Sequence, residues 1–395
     1  MQTLVLAAGE GTRIRPLATR MAKPMLPVAD RPLSAHTAAT AVAAGATELV
    51  FVVGYEADSV REYFGECYRG VPVAYAVQEE QTGTADAVRA AREHLDPSSP
   101  FAVLNGDNLY DENAISRLYD SGPAVGVFRS STPSNYGVLR VEDGRVLDVV
   151  EKPETPPSNL VNAGAYVFPA ETQQWLDVPK SDRGERELTD VLSRVADHHE
   201  VAPVELNRWL DVGRPWELLE ANEWKVSELD TNQAGEISPD ARLEGNVGVE
   251  PGAVVEAGAV IEGPALIRTG ATVGPNAYVR GATLIGPGAE IGHAVEIKNS
   301  VLMADASVNH LSYVGDSVLG RAVNLGAGTT VANLRHDSRP IELAVKGEQV
   351  STGRRKFGVV LGPGAKTGIN TSLNPGVRLS AGATTMPGEV VMSDR

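Results

Sequence analysis

The sequence predicts an α/β protein of two parts: a Rossmann-like, mostly parallel sheet wrapped by helices, then a parallel β-helix of hexapeptide repeats. Three observations carry this. The chain has 395 residues, more than a single ordinary core needs. Its first half alternates short apolar runs with amphipathic stretches, and its second half repeats an apolar residue every six positions.

In the first half, residues 4–8, 49–53, 73–77, 101–104 and 124–128 are short apolar runs that read as buried strands. Residues 33–44, 58–64, 84–92 and 111–120, which lie between them, carry helical spacing. Such alternation gives a mostly parallel sheet with helices on both faces. Ligands then belong at the carboxyl ends of the strands.

From Ile237 the six-residue period runs unbroken through Leu243, Val249, Val255, Ile261, Ile267, Val273, Val279, Ile285, Ile291 and Ile297. Small or β-branched residues stand four positions after each, from Ala241 and Val247 to Val295 and Val301, and Gly252, Gly258, Pro264, Gly270, Asn276 and Gly288 fill the turns. This is the signature of a parallel β-helix in which each six-residue unit forms one flat side of a triangular coil. The register slips after Ile297, resumes at Leu319, Leu325 and Val331, breaks over 333–357, and returns at Leu361, Thr367, Leu373, Leu379 and Thr385. The break reads as an extruded loop. Arg335, His336, Arg339, Lys346, Arg354, Arg355 and Lys356 make it basic, suited either to solvent or to an anion. The domains are therefore expected at 1–227 and 237–395, joined by a polar linker at 228–236.

A formal charge of −16 argues against nonspecific nucleic-acid binding, so any phosphate ligand must be met by local cations. The single cysteine, Cys67, forms no intrachain disulfide, and no apolar run reaches the roughly 20 residues that span a bilayer. A cytoplasmic protein without membrane or nucleic-acid partners is expected.

The first apolar run enters Ala8-Gly9-Glu10-Gly11-Thr12-Arg13, and Lys23-Pro24-Met25-Leu26-Pro27 follows. Glycines let backbone N–H groups approach phosphates. The loop lacks both the third glycine of the dinucleotide fingerprint and the Lys-Ser/Thr of a P-loop. Arg13 and Lys23 supply the cations that a departing pyrophosphate needs. These runs resemble the signature of sugar-1-phosphate nucleotidylyltransferases, and later segments agree in order: Gln78 with Gly83-Thr84, Asn105-Gly106-Asp107, Gly137, Glu151-Lys152-Pro153, Asn162-Ala163-Gly164 and Trp209 to Gly213. The resemblance implies catalysis by Arg13 and Lys23, with nucleotide binding by Ala8, Gly9, Gly11, Thr12, Gln78, Gly83 and Thr84. It further implies sugar-phosphate binding by Gly137, Glu151, Lys152 and Asn162, and Mg²⁺ held by Asp107 and Asp211. An in-line attack of a sugar-1-phosphate oxygen on the α-phosphorus of UTP or dTTP needs charge neutralisation and alignment, which those groups supply.

The second half resembles the acetyltransferase domain of bifunctional N-acetylglucosamine-1-phosphate uridylyltransferase/glucosamine-1-phosphate acetyltransferases, in its archaeal form. Glu296 to Ser300, Asn309 to Asp316, Asn324 to Thr329 and Asn333 carry the likeness. It implies a left-handed coil, acetyl-CoA as co-substrate and a homotrimer, since such coils expose flat faces that pack about a threefold axis. His310 becomes the base that takes the amine proton. Arg280, Lys298, Tyr313, Asn324 and Asn333 become acceptor-binding residues, and Ala327 lies near acetyl-CoA. The form Asp211-Val212-Gly213 resembles instead glucose-1-phosphate thymidylyltransferases. That leaves open an enzyme using dTTP whose β-helix is a noncatalytic trimerisation or regulatory scaffold, and it leaves open whether glucosamine, galactosamine or glucose phosphate is the acceptor. Ile369 stands where the bacterial enzymes carry a serine on the acetyl-CoA side.

Overall fold

A computed structural model describes residues 1–181, 184–230 and 232–395. By contact the chain divides into one unit of Met1–Glu10, Ala22–Met25 and Pro32–Asp211, and a second of Gly11–Met21, Leu26–Arg31 and Val212–Arg395. Within the linker expected at 228–236, residue 231 lies outside the described residues.

In the first unit β1 (Gln2–Ala7), α1 (Leu33–Ala43), β2 (Glu48–Val53), α2 (Ala57–Phe64), β3 (Val71–Val77), α3 (Thr84–Ala90) and β4 (Phe101–Asn105) alternate as expected. β1 pairs in parallel with both β2 and β4, and β2 with β3. Successive side chains of a strand point to opposite faces. Leu4, Val50, Val52 and Val103 accordingly join one core, while Val5, Ala7, Leu49, Phe51 and Val53 join the other. Both faces are apolar because both are covered.

The remaining elements are β5 (Asn108–Tyr110), α4 (Glu112–Asp120), β6 (Ala124–Arg129), β7 (Gly137–Glu142), β8 (Arg145–Glu151), β9 (Leu160–Phe168), α5 (Leu188–Ala196), β10 (Ala202–Glu205) and β11 (Trp209–Asp211). Asp111 caps α4, its side chain accepting from the Asn113 N–H at 3.0 Å. β9 runs antiparallel to β4 and to β7, β7 and β8 form a hairpin, and β10 pairs in parallel with β6, so the sheet is mixed. β11 pairs antiparallel with β5 in a separate two-stranded ribbon.

The second unit is the left-handed β-helix, with α6 (Pro215–Ser227) lying along it. Asn222 of α6 donates to the Ala282 carbonyl at 3.1 Å. Val255↔Val273 and Ile261↔Val279 pair eighteen residues apart, three hexapeptides per coil. Two coils shorten by one residue: Leu284 pairs with Val301 and Val301 with Val318. Both shortenings fall at one corner, where Asn299 and Asp316 adopt φ of 46° and 51°, a left-handed conformation that Asn and Asp tolerate better than most side chains. This is the origin of the slip after Ile297. The next coil ejects the insertion from the same corner, and Val318 pairs with Val360.

The insertion is not the simple extruded loop expected. It contains a hairpin, Glu342–Val345 against Glu348–Ser351, with Ile341, Leu343 and Phe357 buried. Arg335 is bound to Asp337, and Arg354 to Glu223 of α6, so two of its cations are already neutralised.

The coil core is one ladder of Val, Ile, Leu and Ala. Ile297 is fully buried between Val279 and Val314 of the neighbouring coils. Ile297→Ala is expected to cost about 2–5 kcal/mol, read as a shift in the denaturant midpoint of the second unit.

Candidate functional site

In the first unit a cavity of about 250 Å³ opens at the carboxyl ends of the parallel strands, with Ala8, Gly9, Gln78, Gly83, Thr84 and Asp107 in its wall. Six of the residues expected to act are thus brought together. Gly83 has φ of +122°, and a Cβ there would overlap the Arg186 backbone, so only glycine fits. The loop is tied by Arg186 N–H to the Thr82 carbonyl at 2.7 Å and by Leu188 N–H to the Thr84 hydroxyl at 2.9 Å.

Gln78 is buried, and its amide nitrogen donates to the Gly83 carbonyl at 3.0 Å and to Asp86 at 3.1 Å. Both N–H groups are spent, which leaves the oxygen as the hydrogen-bonding end of that amide. Asp86 was not among the expected site residues. Burial pushes its carboxyl up, but hydrogen bonds from Gln78, Arg89 and Thr82 outweigh that and hold it below the usual range. Gln81, also missed, donates to the Ala8 carbonyl at 2.6 Å and so fixes the exit of β1.

Lys23 is buried and forms an ion pair with Asp107. The β5–β11 ribbon sets Asp211 opposite Asn108, the residue after Asp107, so the two carboxylates expected to hold a cation come from neighbouring positions of adjacent strands. Among the described residues no group of three or more His, Cys, Asp or Glu side chains is placed to hold a metal. Two carboxylates nevertheless suit a hard cation that completes its shell with phosphate oxygens and water. The Tyr110 hydroxyl donates to the Gly164 carbonyl at 2.8 Å and accepts from Asn105 N–H at 3.1 Å, bracing this end of β4. Burial, then the Asp107 carboxylate, holds that phenol well above its ordinary range.

Gly137 faces Glu151 across the β7–β8 hairpin, and a Cβ at Gly137 would stand 2.9 Å from the Glu151 carboxylate. Asn162 donates to the Tyr166 hydroxyl at 2.6 Å and accepts from Gly164 N–H at 3.0 Å. Burial raises the Tyr166 phenol; the Asn162 bond opposes this, and the Glu151 and Glu187 carboxylates add to it. Glu187 is thus a buried acid of this group that the sequence reading did not single out. Lys152, in the left-handed region with φ of 46°, holds its ammonium 3.9 Å from Glu151. Gly11, Thr12 and Arg13 belong by contact to the second unit. There the Arg13 guanidinium lies close enough to Gly213 that a Cβ on Gly213 would be 3.1 Å from it.

The β-helix carries a second polar network on the side formed by Tyr278–Arg280, Glu296–Lys298 and Tyr313–Gly315. Arg280 binds Glu296 at 2.7 Å, and Lys298 binds both oxygens of Asp316 at 2.7 and 2.9 Å. Asn333 donates to the Tyr313 hydroxyl at 3.2 Å and to Asp316 at 2.5 Å. Four expected residues, Arg280, Lys298, Tyr313 and Asn333, therefore share one cluster. Its centre is Asp316, a buried carboxylate that the sequence reading passed over. Burial, then Asp316 and Glu296, raises the Tyr313 phenol, against the bond from Asn333 and the charge of Arg280. Asn299 joins Asp316 at 3.0 Å to Glu223 of α6 at 2.7 Å, and Glu223 also binds Arg354 of the insertion.

His310 is exposed at the end of Ser307–His310, and Tyr313 begins the next side after a corner made by Leu311 and Ser312. The Ser312 hydroxyl closes that corner on the His310 carbonyl at 2.7 Å. Ser307 pairs with Asn324 of the following coil, and Gly328 N–H reaches the His310 carbonyl at 3.1 Å. Ala327 accepts in turn from Asn370 N–H at 2.7 Å. His310, Asn324 and Ala327 thus lie on one side and its corner, and Arg280, Lys298, Tyr313 and Asn333 on the next.

Residues 2–227 match the nucleotidyl transferase family, and residues 261–357 match the GMPPB C-terminal domain. A solved UDP-glucose pyrophosphorylase complexed with UDP-glucose superimposes with a TM-score of 0.53 at 25% identity, covering 58% of this chain and 99% of that one. The first unit is a nucleotidyl transferase domain. Over 384 residues the chain is 37% identical to the bifunctional protein GlmU of Methanocaldococcus jannaschii, covering 96% of this chain and 92% of that protein. It is 35% identical over 401 residues to the bifunctional sugar-1-phosphate nucleotidylyltransferase/acetyltransferase of Sulfurisphaera tokodaii, covering 100% and 98%. The chain belongs to this family of bifunctional, GlmU-type proteins.

Proposed function

We propose that the chain acetylates the amine of a hexosamine-1-phosphate, glucosamine-1-phosphate first and galactosamine-1-phosphate as a further acceptor, and then joins the N-acetylated product to a uridylyl group from UTP. The observation that carries this reading is that one chain holds two intact clusters of cations and carboxylates, Lys23 with Asp107 and Asp211, and Arg280, Lys298 and Tyr313 around Asp316. Each suits a phosphorylated sugar. A relative whose name states both activities, and another named a bifunctional protein, each aligned over nearly the whole length, support it.

In the first reaction the amine attacks the thioester carbonyl, its proton passes to the His310 imidazole, and coenzyme A leaves as the thiolate. Asn324 and Asn333 orient the amino sugar, and Arg280, Lys298 and Tyr313 hold its phosphate. Ala327 serves the acetyl-CoA arm. In the second, the sugar-phosphate oxygen attacks the α-phosphorus and pyrophosphate departs toward Arg13 and Lys23. Asp107 and Asp211 are the ligands for Mg²⁺, which when bound neutralises phosphate charge. Ala8, Gly9, Gly11 and Thr12 line the phosphates, and Gly137, Glu151, Lys152 and Asn162 take the sugar phosphate.

The Gln78 oxygen accepts the N3–H of uracil or thymine and repels the N3 lone pair of cytosine. Asp86 holds that amide in place, so Asp86→Ala is expected to lower the UTP:CTP ratio of kcat/KM about tenfold, the scale of one hydrogen bond to a charged group. A homotrimer working in the cytoplasm fits the exposed sides of the coil and the split of His310 and Tyr313 across one corner.

The test pairs acetyl-CoA with glucosamine-1-phosphate and galactosamine-1-phosphate, followed by thiol release, and UTP and dTTP with each N-acetylated product and with glucose-1-phosphate, followed by pyrophosphate release. Thiol release with either amino sugar, and faster pyrophosphate release with UTP, is expected. Pyrophosphate release from dTTP and glucose-1-phosphate with no thiol release would replace this reading by a thymidylyltransferase on a noncatalytic scaffold.

A further inference from the structure

Two parts of the second unit that lie outside the coil, α6 and the insertion that follows Asn333, meet beside the corner occupied by Asn299 and Asp316. The Arg354 guanidinium forks onto Glu223 of α6, Nη1 donating to Oε2 at 3.1 Å and Nη2 to Oε1. The backbone that carries Arg354 is itself fixed. Its N–H donates to the Thr352 hydroxyl at 3.1 Å, and its carbonyl accepts from Ile341 N–H at 2.9 Å. Glu223 Oε1 also accepts from the Asn299 amide at 2.7 Å, and the same amide nitrogen donates to Asp316 at 3.0 Å. Both N–H groups of Asn299 are thus spent, one on each carboxylate. Two carboxylates can share one amide here because Arg354 neutralises the first and Lys298 the second.

The buried Asp316 carboxylate is fully engaged. Its Oδ1 accepts from Lys298 and Asn299, and its Oδ2 from Lys298 and Asn333, which uses the roughly four lone-pair sites such a group has. This settles what its partners can offer a ligand. The Lys298 ammonium is pinned by both oxygens, and Asn333 gives one N–H to Asp316 and the other to the Tyr313 hydroxyl, so that its oxygen is the end left for an acceptor. A buried network in which every group has its partner is rigid, and removing one member loosens the others.

We propose that Glu223 and Arg354 are positioning residues for acetyl transfer, an inference that rests on reading this side of the coil as the acceptor site. Through Asn299 they fix the Asp316 carboxylate, and Asp316 fixes which atoms Lys298 and Asn333 present. The insertion then serves the reaction by bracing α6 against the coil corner, and Arg354, one of the cations that make its sequence basic, is occupied by a carboxylate of its own chain.

The test compares three variants of the full-length protein. Asn299→Gly removes the link and leaves the Arg354–Glu223 pair; glycine already occupies the same corner one coil earlier, at Gly281 with φ of 69°. Glu223→Gln breaks both the pair and the link, and Arg354→Gln breaks the pair but leaves Glu223 on Asn299. Asn299→Gly and Glu223→Gln are expected to raise KM for glucosamine-1-phosphate about tenfold, the scale of a lost hydrogen bond to a charged group, with a smaller change in kcat. Arg354→Gln raises it less. A clasp that only held the fold together would give the reverse order, with Asn299→Gly, in which the ion pair survives, the mildest of the three. A second readout needs no turnover: labelling of Lys298 by an amine-reactive N-hydroxysuccinimide ester, followed by peptide mass mapping, is expected to quicken several-fold in Asn299→Gly and Glu223→Gln, while the exposed Lys180 of the first unit labels as in the wild type. Absence of thiol release in the wild type would overturn the reading of the site and not this chain of contacts, which the labelling tests alone. Lys298 labelling at the wild-type rate in both Asn299→Gly and Glu223→Gln overturns the proposal, as does an unchanged KM in an active Asn299→Gly variant.

Discussion

Asp211→Ala is expected to reduce pyrophosphate release from UTP and the N-acetylated sugar phosphate by about 10²–10⁴-fold, while thiol release from acetyl-CoA stays at the wild-type rate. Metal-assisted charge stabilisation supplies several kcal/mol, and each 1.36 kcal/mol is tenfold in rate. Asp211 sits on β11 opposite Asn108, and Asp107 is already engaged by Lys23. Losing Asp211 therefore leaves a cation only the carboxylate that Lys23 contests. Asp107→Ala has a second consequence, because Lys23 is buried and would lose its counter-charge. It is expected to destabilise the first unit as well as silence it, read as a lowered melting temperature. Raising Mg²⁺ restores part of the Asp211→Ala rate if a second ligand is what was lost. A variant within fivefold of wild type at all Mg²⁺ concentrations contradicts the role of Asp211.

Local pattern revealed what depends on local pattern. The six-residue period named the core positions from Val247 to Ile297, all buried, because every coil imposes the same inward-facing position. The run through Arg13 and Lys23 and the later Gly83, Asp107 and Asn162 were legible as an ordered series of short motifs. Residues whose value comes from a distant partner were not. Asp86 matters because Gln78 leans on it, Asp316 because Lys298, Asn299 and Asn333 converge on it, and Glu223 because Arg354 reaches it from the insertion. None of these has a neighbour in sequence that announces it. The antiparallel hairpin β7–β8 was likewise hidden, since its alternation is broken by a register shift between Arg140 and Val141. The two shortened coils left a trace as the slip after Ile297, but only strand pairing locates both at one corner.

His310→Ala is expected to lower acetyl transfer by about 10²–10⁴-fold, the usual contribution of a positioned general base, with pyrophosphate release from N-acetylated substrate unchanged. The backbone around His310 is fixed from two sides, by the Ser312 hydroxyl and by Gly328 N–H on its carbonyl, so removing the ring leaves the corner intact. The ring itself is exposed at the end of its strand rather than packed in the coil, so the variant opens no core cavity and its stability should match the wild type. Lys298→Ala separates binding from proton transfer. Lys298 gives its charge to Asp316 and faces the acceptor phosphate in the proposed complex, so its loss is expected to raise KM for glucosamine-1-phosphate more than it lowers kcat. For His310→Ala the order reverses, because an amine that has bound still holds its proton. If His310→Ala raised KM and left kcat alone, the imidazole would be a binding group, and the base would have to be sought elsewhere on the coil.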